Sequence, residues 1–123
     1  MKEAYCSFEV AKLLKEKGFD ERSSASYDSK GELQEGYGYW NKTPIWYAAP
    51  THQMACAWLR DVHKVLIVID AYHADHWEGY IDSFKISIYS HASTIIVPNE
   101  IVHHTDYTEA VEAALKYVLE NLI

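Results

Sequence analysis

No apolar run in this sequence approaches the roughly 20 residues that a membrane-crossing helix needs; runs such as VLIVI at 65–69 fall far short. The opening MKEAYCSFEVAKLL carries charges in its first turns and lacks the apolar stretch and small-residue cleavage site of a signal peptide. It predicts a protein that stays in the cytoplasm. Cysteine is scarce: Cys6 and Cys56 form no CxxC pair and cannot build a disulfide framework, so both are expected as reduced, buried thiols. Basic side chains are outnumbered 11 to 18, and the net charge of −7 repels phosphate backbones, which disfavours direct binding of nucleic acid. A Gly-rich phosphate loop, a GxSxG nucleophile elbow, internal repeats and low-complexity tracts are all missing.

What is present is the composition of one ordinary globular unit. The 123 residues are 49% hydrophobic and 24% charged, enough to bury a core without staples, so residues 1–123 are read as a single domain. Ser7 is placed to cap a helix over 8–17 with Val10, Leu13 and Leu14 on its buried face. Gly18 supplies its stop, and Phe19 folds back on the last turn. Residues 23–34 read as a hairpin about the turn Asp28-Ser29-Lys30-Gly31. The Gly- and aromatic-rich stretch that follows reads as an ordered loop with one strand.

Thr51 is placed to cap a second helix over 52–62, with Met54, Ala55, Trp58, Leu59 and Val62 on one stripe. The β-branched run at 65–69 predicts a strand buried on both faces and central in its sheet. Phe84, Ile86 and Ile88 alternate with Lys85, Ser87 and Tyr89 as in a half-buried antiparallel strand, and a third strand over 94–97 stops at Pro98. Asp106 and Glu109 suggest a capping box for a last helix over 107–121 that buries Val111, Ala114, Leu115, Val118, Leu119 and Leu122. The expected class is α+β: three helices on a small antiparallel sheet, with an α-β-β-β-α second half.

Several segments bear on chemistry. VLIVIDAYHADHWEG resembles the strand and HxHxDH loop with which metallo-β-lactamase-type hydrolases present zinc ligands. His73, Asp75, His76 and Gly79 fit, but Ala71 stands where the first histidine belongs, which removes a ligand from a site that needs three or four. A polar hairpin loop without a stoichiometric metal is expected there. His91, His103 and His104 could add nitrogens only if the fold brought them near. SFEVAKLL resembles the first helix of an excisionase or MerR-type helix-turn-helix, yet the acidic FDERSSASYDSKGE that follows offers no recognition helix. The order of the second half is similar to that of double-stranded-RNA-binding domains, whose last helix opens with lysines; here it opens with Asp106, Thr108, Glu109 and Glu112. Neither cysteine lies in a nucleophile signature, and Cys56, between two alanines, reads as a small core residue.

The aromatic content is the remaining feature. Of four Trp, ten Tyr and three Phe, the residues Tyr37, Tyr39, Trp40, Trp46 and Tyr47 crowd into one segment. Such rings dominate binding hot spots, and they equally cover the core of a small domain. The segments SFEVAKLLKEKGFDE, YDSKGEL, PTHQMACAWLRDVH and DYTEAVEAALKYVLENLI together are similar to a group of small proteins common in prophages and mobile elements of gut Bacteroidetes. That group carries no established activity, so the resemblance implies a bacterial cytoplasmic setting and little chemistry. The leading expectation is a non-enzymatic accessory protein that binds an unidentified protein partner through the five rings, without cofactor, metal, catalytic residue or membrane. Homodimerisation stays open. The alternatives are a metal-binding or hydrolytic protein using His73, Asp75 and His76, and an acidic mimic of nucleic acid, which the dispersed acids weaken.

Overall fold

The computed structural model describes residues 4–72, 83–91 and 93–123. Helix α1, Phe8–Glu16, begins where the Ser7 hydroxyl accepts the N–H of Val10. It ends at Gly18 (φ +95°), and Phe19, buried, donates its N–H to the Leu14 carbonyl. Strands β1, Ser23–Tyr27, and β2, Leu33–Gly38, form the expected hairpin, and β3, Tyr47–Ala48, pairs on the other side of β1. A single 3-10 turn, Trp40–Lys42, links β2 to β3.

The hairpin turn depends on Gly31. Its φ is +84°, and a Cβ there would stand 2.8 Å from Cδ2 of Phe8, whose ring packs against Tyr27 and Tyr47 at centroid distances of 5.4 Å each. Gly31→Ala is expected to cost about 1–2 kcal/mol for the left-handed backbone alone. The denaturation midpoint should fall while the far-ultraviolet circular dichroism stays native; an unchanged midpoint would show that the turn can flip at no cost.

Helix α2, His52–His63, is capped by the Thr51 hydroxyl, which accepts the N–H of Met54, and it stops where Lys64 turns left-handed (φ 59°). Strand β4, Val65–Tyr72, follows at once and pairs in unbroken antiparallel register with β5, Ser83–Ser90. On its far side β5 pairs with β6, Ser93–Ile95, and with β7, His103–His104, which flank a four-residue helix α3, Asn99–Val102. Helix α4, Tyr107–Asn121, opens with the Asp106 carboxylate accepting the N–H of Thr108. The class is therefore α+β, with the strands divided between two antiparallel sheets. No helix among the described residues is long and apolar enough to cross a membrane.

α4 is the hub. It packs on β4 and β5 and also touches α1, α2 and α3, so Val111, Ala114, Leu115, Val118 and Leu119 are buried together with Leu14, Phe19, Trp58, Leu59, Ile86 and Ile88. The α+β class holds, but among the described residues the three helices on one sheet become four helices, with the short α3 added, and two sheets, and two local expectations change as well. β4 is an edge strand among the described residues, not the central one, and Leu66 is 44% exposed. In a meander the middle strand has neighbours on both sides, so β5 takes the centre. Ile67 and Ile69 stand opposite Ile88 and Ile86 on the helix-covered face, which leaves Leu66 and Val68 on the other face with Tyr89 and Ser87. Val62 is also not part of the buried stripe. It is 56% exposed, and it is the ring of neighbouring His63 that lies edge-on to Trp58 at 4.7 Å.

Candidate functional site

The aromatic segment is divided by its own packing. Gly36 and Gly38 bare one face of β2, and Trp40 lies over it: its indole N–H donates to the Gly36 carbonyl at 2.9 Å, and a Cβ on Gly38 would come within 2.9 Å of the ring. Trp46 packs on Trp40 at a centroid distance of 5.6 Å, and Tyr47 sits edge-on to Phe8. Lys15 ties the segment to α1 by donating to the Thr43 and Trp46 carbonyls, at 2.7 and 2.8 Å. Asn41 adds two bonds, donating to the Phe19 carbonyl and accepting the Ala48 N–H, both at 2.7 Å. Trp40, Trp46 and Tyr47 are thus partly buried in the segment's own packing. Tyr37 and Tyr39 point outward, 77% and 52% exposed, flanked by the guanidinium of Arg22 and the ammonium of Lys42 respectively.

The zinc-hydrolase-like loop with His73, Asp75 and His76 lies outside the described residues. His91, His103 and His104 do not converge with other donors in any group of three among the described residues. The ring of His104 instead donates to the Ile101 carbonyl at 2.8 Å.

One constellation escaped the sequence reading. Cys6, His52 and Glu112 bring a thiol, an imidazole and a carboxylate together, with their donor atoms all within 4.8 Å of one another. The backbone sets it up. The Cys6 N–H donates to the Pro50 carbonyl at 2.8 Å and the His52 N–H to the Ala4 carbonyl at 2.9 Å, around an antiparallel bridge between Tyr5 and Thr51. The approach to α1 is thereby fixed against the start of α2. α4 then delivers Glu112, whose Oε2 accepts both the His52 Nε2–H at 2.7 Å and the Ser7 N–H at 3.0 Å. Glu112 so plays for α1, from another helix, the part that a capping-box glutamate plays within one. The Tyr27 hydroxyl donates to the Cys6 carbonyl at 2.6 Å and holds that end in place.

Electrostatics limits what this set can do unaided. Burial, and next the Glu112 carboxylate, hold the Cys6 thiol well above its ordinary range. Burial likewise pushes Cys56 up to about 11. Neither is a poised thiolate nucleophile at neutral pH, so the set has the composition of a thiol–imidazole–carboxylate triad without its reactivity. Burial would also raise Glu112, but the hydrogen bonds from His52 and Ser7 outweigh it and keep the carboxylate below its ordinary value. His52 further lines a groove of about 560 Å³ between α2, β4 and the start of α4, with Gln53, Cys56, Arg60, Ile69 and Tyr107 along it. Comparison with protein families, with curated proteins and with solved structures gives no match to this chain.

Proposed function

We infer that the chain is a non-enzymatic interaction module, an accessory protein of a mobile element, that captures another protein through Tyr37 and Tyr39. The observation that carries this reading is the pairing of two exposed tyrosines with a segment held by several hydrogen bonds and ring contacts. The rings stand in water while Trp40, Trp46, Lys15 and Asn41 tie the chain beneath them to the body of the fold. A ring presented on a rigid support loses little conformational entropy on binding, which is what makes tyrosine effective at interface centres. Arg22 and Lys42 beside the rings favour a partner with carboxylates around its aromatic pockets.

The test is the double substitution Tyr37→Ala/Tyr39→Ala. Stability should stay within about 0.5 kcal/mol, as for surface positions, while affinity for a purified partner, identified by cross-linking in the native host, falls about 30-fold or more, the loss of a hot spot of ~2 kcal/mol. Undiminished affinity would remove the segment from the interface. Trp40→Ala serves as the contrast, because it should lower stability by removing the ring that covers Gly36 and Gly38.

A further inference from the structure

We propose that Cys6, His52 and Glu112 form a binding site for one divalent transition-metal ion of the zinc class. Three kinds of donor meet here from three parts of the chain, and no other group of three histidine, cysteine or acidic side chains converges among the described residues. A mixed sulfur, nitrogen and oxygen set is not one that calcium or magnesium selects, since those ions take oxygen; it suits zinc and the divalent ions that replace it.

The dimensions fit. Zinc bonds of about 2.3 Å to sulfur and about 2.0–2.2 Å to nitrogen and oxygen place tetrahedral donors about 3.2–3.7 Å apart. Donors already within 4.8 Å of one another reach that spacing by side-chain rotation. The His52–Glu112 contact of 2.7 Å opens by about 0.5 Å as a shared proton gives way to a shared cation. A thiolate and a carboxylate bring two negative charges into a largely buried place, and a divalent ion balances both.

The supports needed to hold such ligands are present without the ion. The backbone of Cys6 is fixed on both sides, by Pro50 and by Tyr27, and Glu112 is steadied by the Ser7 N–H. Outer hydrogen bonds of this kind orient metal ligands and are worth about 10- to 100-fold in affinity. Three protein ligands leave a fourth position for water, and His52 belongs both to the cluster and to the lining of the groove beside α2.

Cobalt(II) titration of chelator-stripped protein tests the assignment. One equivalent should saturate a near-ultraviolet sulfur-to-cobalt charge-transfer band together with the strong visible bands of tetrahedral cobalt. Cys6→Ser should abolish the charge-transfer band, Glu112→Gln should weaken binding about 10-fold or more through loss of a direct ligand, and both Cys56→Ser and the double variant His73→Ala/His76→Ala should titrate like the parent. X-ray absorption of the zinc-loaded parent supplies a measurement that does not depend on any variant folding, and it should show a single sulfur among nitrogen and oxygen neighbours. No charge-transfer band, a zinc shell without sulfur, or a band lost in Cys56→Ser or in the histidine double variant but kept in Cys6→Ser overturns the proposal.

Discussion

Trp58→Ala should destabilise the protein by about 3–5 kcal/mol, the cost of removing a large ring from a close-packed core. Trp58 is 5% exposed, it meets Phe19 edge-on at 5.4 Å, and the ring of His63 closes over it at 4.7 Å. Because these neighbours are fixed by α1, α2 and the turn after α1, they cannot collapse into the space vacated, and most of the cavity term persists. Domains of this kind are stable by only about 5–15 kcal/mol, so the loss is about a fifth or more of the total. Urea titration monitored by circular dichroism measures it. Val62→Ala, four residues further along the same helix, should stay within about 0.5 kcal/mol because that side chain already faces water. Equal effects at the two positions would mean that α2 is rotated from the orientation described.

Glu112→Ala is expected to cost about 2 kcal/mol in metal-free protein, since it leaves both the Ser7 N–H and the His52 ring without their acceptor. Glu112→Gln keeps the shape but exchanges an ionised acceptor for a neutral one, and its cost should be smaller. The pH dependence has a definite sign. The folded-state carboxyl of Glu112 lies below its ordinary value of 4.5, so its ionised form contributes stability that is fully present above pH 4.5 and is lost as the pH falls through the lower, folded-state value. Denaturation of parent and Glu112→Gln with chelator present should therefore differ at neutral pH and converge in acid. A difference that persists unchanged below the carboxylate range would show that the hydrogen bonds to Ser7 and His52 are not charge-assisted.

Much of the local structure was legible because its causes are local. Ser7, Thr51 and Asp106 each accept an N–H in the first turn of the helix they precede, and Gly18 and Gly31 take the positive φ that their turns require. The alternation through β5 appears as buried Ile86 and Ile88 between exposed Lys85 and Tyr89. Where the reading went astray, the missing information was which elements cover which. The apolar run of β4 looked like a strand enclosed on every side, but burial on one face and partial cover elsewhere suffice for such a sequence.

The Cys6–His52–Glu112 cluster shows the same limit. One signal was available: His52 lies three residues before Ala55 and seven before Leu59, so it continues the buried stripe of α2 as a polar residue. A polar group on an apolar stripe needs a partner. Its identity was not accessible, because Glu112 is remote in sequence and reaches His52 only once α4 crosses both helices. Chain chemistry by itself determined the three longer helices, the residues that cap their starts, the hairpin and the alternating strand, since hydrogen bonds and periodicity act over a few residues. Only the tertiary structure decided that β4 is an edge among the described residues, that Tyr37 and Tyr39 are exposed while Trp40 and Trp46 are partly buried, and that a thiol, an imidazole and a carboxylate meet, because each of these is settled by how the chain packs and not by its local pattern.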